Sequence, residues 1–371
     1  MGIIFFILIF CVVVLAHEFG HFIVAKANGI HVVEFSIGMG PTLVHFDKGD
    51  TRYAIKLLPI GGACMFEGED GLETQLSDDE GDSKEPDAEL DPTKDNPGTL
   101  KKSGAFTDAS VWVRIATVVA GPIFNFILAF IFSAIIVGSI GTDLPIIGEV
   151  SANSAAQEAG LMAGDEIVGL NGRSIHLFRE ISLEAMLNQG ELVDITYERN
   201  GEQYTTVLTP KYSEADGRYY YGIASKKGYT KFGPAGVIQY SAYEVKYWVD
   251  TTIRSLGMLM TGQAGVKDLS GPVGMVDAVD DIYEGSKEDG AYYVWLNMLS
   301  FAILLSANLG VLNLIPFPAL DGGRLFFLII EAIRRKPIPP EKEGVFHFVG
   351  FVLLMILMVV VLYNDIMRLF M

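Results

Sequence analysis

Four long apolar stretches dominate the pattern of hydrophobic and polar positions along the chain. They occupy residues 1–24, 111–141, 291–323 and 345–366, and more polar segments separate them. Each stretch matches the roughly 20 residues that a helix needs to cross about 30 Å of hydrocarbon. The pattern therefore predicts a polytopic α-helical membrane protein with four transmembrane helices.

Composition agrees with this interpretation. Half of the 371 residues are hydrophobic, and the mean hydropathy is +0.35, which is high for a soluble domain. The first stretch has no basic segment before it and no small-residue cleavage site after it. We therefore interpret it as a retained span and not as a signal peptide.

Basic residues between the third and fourth stretches indicate the orientation. Arg334, Arg335 and Lys336 make this loop basic, and short basic loops remain on the cytosolic side. Alternation of the spans then places both termini and residues 142–290 outside, and residues 25–110 inside.

The net charge of −18 comes mostly from one segment. Residues 67–95 contain thirteen Asp or Glu against Lys84 and Lys94. A segment of this composition cannot bury enough apolar surface to fold. Residues 67–110 are therefore predicted to form an acidic flexible loop and the lead-in to the second span.

Two histidines near the end of the first stretch are candidate metal ligands. His17 and His21 frame the pattern HExxH, and residues four apart share one face of a helix, so both imidazoles can reach one ion. Catalytic zinc takes three protein ligands and a water, and Glu18 is placed to take a proton from that water. The alternative is that these costly polar groups only anchor the cytosolic helix end. Counted from residue 2 at about 1.5 Å per residue, His17 lies roughly 22 Å into the span, near its cytosolic side.

Asp321 is the candidate third ligand. It follows Pro316 and Pro318 at the end of the third stretch, and these prolines remove helix hydrogen bonds and bend the chain. Irregular backbone that lines a cavity is tolerated at membrane depth, so the carboxylate can stay level with the histidines. The alternative is that Asp321 only caps the next helix.

Four motifs together resemble those of the bacterial site-2 protease family. They are HEFGH at 17–21, FSIGMGP at 35–41, AGPIFN at 120–125 and NLIPFPALDGG at 313–323. Their order, spacing and membrane placement match over nearly the whole chain. The resemblance implies a zinc metalloendopeptidase of the bacterial inner membrane, with Zn²⁺ bound by His17, His21 and Asp321 and with Glu18 as the catalytic base.

The resemblance also implies a set of residues that contact substrate. Asn313 is expected to hold the substrate backbone near the metal. Asn125 is expected to help receive the substrate helix, although helix packing alone also explains it. The expected substrate-binding residues are Asn313, Asn125, Gly38 and Gly40.

Residues 25–66 are predicted to form a cytosolic, membrane-associated β region. The stretch 51–58 partly alternates, and the turn residues Pro59, Gly61 and Gly62 follow it. A transmembrane helix must be unwound before cleavage, and a free sheet edge in this region can replace its hydrogen bonds. An ordinary cytosolic hairpin is the alternative.

Residues 145–212 resemble a PDZ domain of the bacterial protease type, with a strand, a small-residue turn, a helix and the Asn171-Gly172 turn. Such a domain either binds chain ends by strand addition or acts as a plug that admits only trimmed substrates. Residues 213–290 are a connector, and helical spacing over 234–262 predicts an amphipathic helix within it.

We interpret the chain as an enzyme of regulated intramembrane proteolysis. By resemblance, its substrates are single-pass proteins already trimmed by another protease, such as anti-sigma factors or remnant signal peptides. Membrane lipid is the other expected partner, and no nucleic acid is expected. The alternative is a catalytically silent, membrane-anchored PDZ scaffold, whereas a transporter is disfavoured because the four spans show no internal repeat.

Overall fold

The computed structural model describes residues 1–68, 104–188, 190–214, 217–265, 267 and 269–370. Most of the predicted acidic loop, residues 69–103, lies outside the described residues. The helices are α1 (Gly2–Ala27), α2 (Val111–Ile140), α3 (Ala155–Glu158), α4 (Phe178–Leu187), α5 (Pro234–Thr261), α6 (Pro272–Ser286), α7 (Ala291–Leu314), α8 (Asp321–Arg334) and α9 (Pro340–Phe370). The strands are β1 (Val32–Lys48), β2 (Thr51–Phe66), β3 (Ile147–Val150), β4 (Glu166–Leu170), β5 (Arg173–Ser174), β6 (Val193–Arg199), β7 (Glu202–Leu208), β8 (Lys211–Ser213), β9 (Arg218–Tyr220) and β10 (Ile223–Ser225).

Within the described part of the chain, four helices are long and apolar enough to cross a membrane. They are Gly2–Ala27, Val111–Ile140, Ala291–Leu314 and Lys342–Arg368. The four predicted spans are therefore confirmed as helices of spanning length.

The chain divides into two compact units. The first contains Met1–Ile127, Val266–Gly285 and Leu309–Met371, and the second contains Leu128–Gly265 and Ser286–Asn308. Each unit has its own buried core.

The β region of the first unit is a sheet made by β1 and β2. Each of these two long strands provides two separate stretches of the sheet. Phe35 of β1 pairs with both Tyr53 and Cys64 of β2, and Tyr53 pairs in turn with Phe46. Because a strand residue has one neighbour on each side, Phe35 and Tyr53 are both interior. The outer stretches are therefore 42–48 and 62–66.

This arrangement corrects the turn that we expected directly after residue 58. The residues expected to form a turn after position 58 lie inside β2, which continues to Phe66. Gly61 takes a positive φ of 85°, so the strand bends there and does not stop. The stretch 51–58, which lies in the region expected to provide a free edge, has β1 neighbours on both sides at Tyr53 and Ala54.

The third span ends earlier than predicted. The helix α7 stops at Leu314, and α8 begins at Asp321 with Leu320 as its N-cap residue. Pro316 and Pro318 stand in the intervening segment, where they prevent the helix from continuing. Asp321 is therefore not the cap of the next helix, and its carboxylate is available for another partner.

Two glycines allow this irregular segment to fold back on α8. A Cβ atom at Gly322 would lie 2.0 Å from the carbonyl oxygen of Ile315, and one at Gly323 would lie 2.4 Å from that of Phe317. Both glycines are buried. Any side chain here would push the segment off the first turn of α8 and displace the neighbouring Asp321.

The segment 270–274 leads into α6, which begins at Pro272. The backbone N–H groups of Gly271 and Gly274 donate to the carboxylate of Asp365 in α9, at 3.1 and 2.9 Å. A carboxylate at this position satisfies donors that the first helical turn leaves without a partner.

The second unit contains the predicted outer β domain. A four-stranded sheet has the order β5-β4-β6-β7, and β10 pairs with β3 in a separate two-stranded sheet. Its core is aliphatic and includes Ile147, Ile167, Leu170 and Ile195. The strand β10, which ends at Ser225, pairs with β3, so this two-stranded sheet includes residues beyond the predicted boundary at residue 212.

A partly buried ion-pair cluster lies beside this domain. Arg179 at the start of α4 donates from Nη1 to Glu244 of α5 at 2.9 Å and also pairs with Asp143. Burial raises the pKa of Glu244, and Arg179 opposes that shift. The predicted helix over 234–262 is observed as α5, and Glu244 is one of its buried residues.

Candidate metal centre

Helix α1 presents both histidines on its buried side. His17 and His21 are 6% and 7% exposed, and their Nε2 atoms lie 3.2 Å apart. This proximity follows from their spacing, because residues i and i+4 lie one above the other on a helix.

Asp321 completes a group of three. Its Oδ2 atom lies 3.0 Å from Nε2 of His17 and 3.3 Å from Nε2 of His21. One ligand atom from each residue lies within 4.8 Å of the others. The structure thus brings together three candidate ligands from positions about 300 residues apart in the sequence.

Helix α2 orients the imidazole of His21. Its Nδ1 atom lies 2.8 Å from the carbonyl oxygen of Thr117. A carbonyl oxygen only accepts, so Nδ1 of His21 donates this hydrogen bond, and a neutral ring would present its Nε2 lone pair to Asp321. Two electron-rich atoms at this distance repel each other unless a cation or a proton lies between them.

This arrangement fits a metal ion. Two imidazole nitrogens and one carboxylate oxygen form the ligand set of many catalytic zinc sites, which keep a fourth position open for water. The carbonyl of Thr117 behind His21 is the kind of outer contact that orients a metal-binding histidine.

Asn125 touches the other histidine. Its Nδ2 atom lies 3.1 Å from Nδ1 of His17, and the side chain is fully buried. Sequence reasoning predicted a role in receiving substrate, and the structure gives this amide a contact with His17, a candidate ligand.

Gly121 allows α2 to pass close to both rings. A Cβ atom there would lie 2.3 Å from Nε2 of His21 and 2.8 Å from Cε1 of His17. On the facing helix, a Cβ atom at Gly20 would lie 2.4 Å from the carbonyl oxygen of Ala120. Small residues are used in this way wherever membrane helices approach closely.

Glu18 faces the β region. Its carboxylate accepts a hydrogen bond from the backbone N–H of Cys64 in β2. A Cβ atom at Gly62 would lie 3.0 Å from Cγ of Glu18. The outer stretch 62–66 of the sheet therefore runs directly past the predicted catalytic base.

The remaining predicted residues fall into two groups. Asn313, near the end of α7, is buried, and its Nδ2 atom lies 3.4 Å from Nε2 of His17. Gly38 and Gly40 lie in β1 with φ of 87° each, and a Cβ atom at Gly38 would lie 2.4 Å from the carbonyl oxygen of Leu58. The bend of β1 thus gives these glycines a structural reason that does not involve substrate.

Sequence reasoning missed three contributions to the site. Thr117 acts through its backbone carbonyl and Cys64 through its backbone N–H. Neither role can be recognised from the type of residue at that position. Gly121 had a signal, because it lies in the AGPIFN motif, but a small residue in a membrane helix has several explanations.

Comparison with known proteins identifies the family. The model of peptidase family M50 matches residues 5–357. The chain belongs to peptidase family M50. This M50 peptidase is 38% identical to a putative zinc metalloprotease of Clostridium acetobutylicum, over 97% of this chain and 96% of that one. It is 36% identical to the zinc metalloprotease RasP of Shouchella clausii, over 98% of both chains.

A further relative carries a more specific name. The regulator of sigma-W protease RasP of Bacillus subtilis is 33% identical over 98% of both chains. Among solved structures, a PDZ domain of an SdrC-like protein from Listeria monocytogenes matches 22% of this chain and 87% of that one, at 20% identity and a TM-score of 0.21. A TM-score this low does not establish a fold.

These comparisons confirm the predicted family, the metalloprotease class and the zinc cofactor of the M50 peptidase. The silent scaffold is not supported, since the chain belongs to a peptidase family and its three ligand candidates converge.

Proposed function

We propose that this M50 peptidase is an intramembrane endopeptidase that cleaves peptide bonds inside transmembrane segments. The observation that carries the proposal is the convergence of two histidines and an aspartate within 4.8 Å. The histidines belong to a helix apolar enough to cross a membrane, where unpaired ionisable groups are too costly to persist without a task.

His17, His21 and Asp321 would hold the zinc ion. When bound, zinc lowers the pKa of its water to about 7 and polarises a carbonyl. Glu18 takes the proton of the attacking water and passes it to the departing amine. The hydrogen bond from Cys64 holds the Glu18 carboxylate in position for both transfers.

Asn313 is placed to orient the substrate. Its amide is buried next to His17, and an amide can donate to a peptide carbonyl while accepting from a peptide N–H. We assign it the role of holding the scissile peptide near the ligands.

The outer stretch 62–66 of β2 is our candidate for pairing with unwound substrate. A transmembrane helix must exchange its internal hydrogen bonds for others before a protease can reach its carbonyls. A sheet edge supplies such bonds along an extended chain. The contacts of Gly62 and Cys64 with Glu18 bring this edge to the catalytic base.

The enzyme is proposed to lie in the bacterial cell membrane with both termini outside and the metal centre near the cytosolic side. Basic residues between α8 and α9 support this orientation. Single-pass proteins already trimmed by another protease are the proposed substrates. The name of the Bacillus subtilis relative fits anti-sigma factors as one such class.

The outer β domain is proposed to be a PDZ domain that controls access. Its pairing of β10 with β3, beside a four-stranded sheet and α4, agrees with a PDZ-like fold. Strand addition at a chain end and exclusion of untrimmed substrates both remain consistent with this geometry.

The proposal is tested with the Glu18→Gln variant. We expect the variant to bind one zinc per chain, like the native enzyme, and to lose cleavage of a reconstituted single-pass substrate by a factor of about 100 or more. An Asp321→Asn variant should lose zinc as well. Full-rate cleavage by Glu18→Gln would refute the mechanism, and a native chain without zinc would refute the metal centre.

A further inference from the structure

Helix α8 has one face that the protein covers and one that it leaves open. On the covered face, Gly323 and Leu328 are buried. On the same helix, Nη1 of Arg114 in α2 lies 3.2 Å from Oε2 of Glu331. These contacts fix the helix to the rest of the first unit.

The open face is apolar. Phe326, Ile329 and Ile333 are 44%, 44% and 77% exposed. Their spacing of three and four residues places them along a single stripe of the helix. Three large apolar side chains on one open stripe imply an apolar neighbour.

Three cationic residues lie at the end of this apolar stripe. Arg334, Arg335 and Lys336 are consecutive and exposed. Among the described residues, no ion pair involves any of them.

The position of α8 in the chain indicates what covers this face. It connects α7 to α9, and both contain segments of spanning length. An apolar stripe on so short a connector contacts the lipid that surrounds those spans, and cations at its end meet the phosphate groups of that lipid. A soluble acidic protein would match the cations but leave the apolar stripe in water.

We propose that α8 is an interfacial helix that binds anionic phospholipid through Phe326, Ile329, Ile333 and the cations at 334–336, and that this contact holds Asp321 at the metal centre. The second part rests on the proposed function, because it takes Asp321 as a zinc ligand. Asp321 is the first residue of α8, so a shift of the helix moves the carboxylate directly.

The charge part is tested in vesicles of phosphatidylcholine with and without phosphatidylglycerol. The test variant carries Arg334→Gln, Arg335→Gln and Lys336→Gln. The matched control carries Lys226→Gln, Lys227→Gln and Lys231→Gln, which removes three exposed cations from the outer unit.

Native mass spectrometry measures phosphatidylglycerol retained on the chain, and a cleavage assay measures activity. We expect phosphatidylglycerol to raise native and control cleavage by about fivefold or more, with little effect on the test variant, which should also retain less of it. Soluble glycerol phosphate should have no effect on any of them, which separates a lipid surface from free phosphate. Equal retention and equal activation in the test variant would overturn the proposal.

The apolar part is tested with Ile333→Trp and brominated acyl chains. We expect quenching of the added fluorescence, measured as the difference from the native chain. The control Tyr212→Trp, at an exposed position of β8, should not be quenched. Absence of quenching at position 333 would overturn the lipid contact, and a doubled mass in detergent would then assign the face to a second copy.

Lipid retention and quenching do not depend on cleavage, and both can be repeated in the Glu18→Gln variant. A native enzyme that retains lipid but never cleaves would defeat the proposed function and leave the lipid contact standing. A native enzyme that cleaves equally well in both vesicles would defeat the link from lipid to Asp321.

Discussion

At the scale of single residues, the candidate metal centre is built from the three candidate ligands and from the neighbours that contact them. The carbonyl of Thr117 determines which nitrogen of His21 carries the proton. Asn125 occupies the equivalent position behind His17. Both contacts come from α2, which supplies no ligand of its own among the described residues.

Asn125 provides the first prediction at this scale. If His17 binds zinc through Nε2, its Nδ1 carries a proton, and the Asn125 amide turns its oxygen toward that proton. We expect Asn125→Leu to weaken zinc binding by about 10- to 100-fold, because outer contacts of ligand histidines contribute this much. Asn125→Asp keeps an acceptor and should retain tight binding. Competition with a chelator measures both variants, and equal affinity in Asn125→Leu would remove the assigned role.

Gly121 provides the second prediction. In Gly121→Ala the new methyl group would overlap the imidazole of His21, so we expect zinc content to fall well below one per chain with all ligands still present. Gly138→Ala is the control in the same helix, because its Cβ would meet nothing closer than 3.9 Å. Zinc analysis of the purified proteins measures the zinc content per chain, and circular dichroism verifies that each variant is helical. Full zinc content in Gly121→Ala would contradict the proposed packing.

At the scale of elements, breaks in regular structure position the chemistry. The helix α7 ends before the prolines, and the irregular segment packs on Gly322 and Gly323 so that α8 can begin with Asp321. The β region bends at its glycines, so that stretch 62–66 becomes an outer edge beside Glu18. Regular continuation of either element would carry these groups away from the histidines.

Gly62 tests the second of these elements. A methyl group in Gly62→Ala would lie 3.0 Å from Cγ of Glu18 and 3.0 Å from the carbonyl oxygen of Ser36. We expect kcat to fall by about tenfold as Glu18 is displaced, with zinc content unchanged. The control Gly257→Ala places its methyl group in open space on α5. Loss of zinc together with activity would show that Gly62 supports the fold and not the base.

At the scale of the whole molecule, the four spanning helices and the basic loop after α8 predict the sidedness of every other segment. Lysine and arginine resist translocation, so the hairpin formed by β1 and β2 should face the cytosol and the outer β domain the opposite side.

Cysteine labelling tests this orientation. In a Cys11→Ser, Cys64→Ser background, an impermeant maleimide applied to intact cells should label Glu202→Cys in the outer domain. It should label Lys48→Cys, at the end of β1, only after the membrane is opened. The reverse labelling pattern would invert the proposed topology and place the metal centre near the outer side.

Much of this protein follows from local sequence. The four spans are long enough to identify by hydrophobicity alone, and the spacing of His17 and His21 places them on one helix face whatever surrounds them. The prolines before Asp321 predict a break in the helix, because proline has no backbone N–H to continue the helical hydrogen bonds. These features depend on neighbours in sequence, so a pattern is sufficient to find them.

Other features depend on groups that meet across the fold, and only the tertiary structure decided them. Which stretch of the β region is a free edge depends on the two partners of Phe35 and Tyr53, and the alternation over 51–58 pointed to an interior stretch. The roles of Thr117 and Cys64 lie in backbone atoms that every residue possesses, and Asp321 needed a folded segment to reach the histidines. Sequence specifies which groups are present and which face they occupy, whereas packing at close range determines which of them meet.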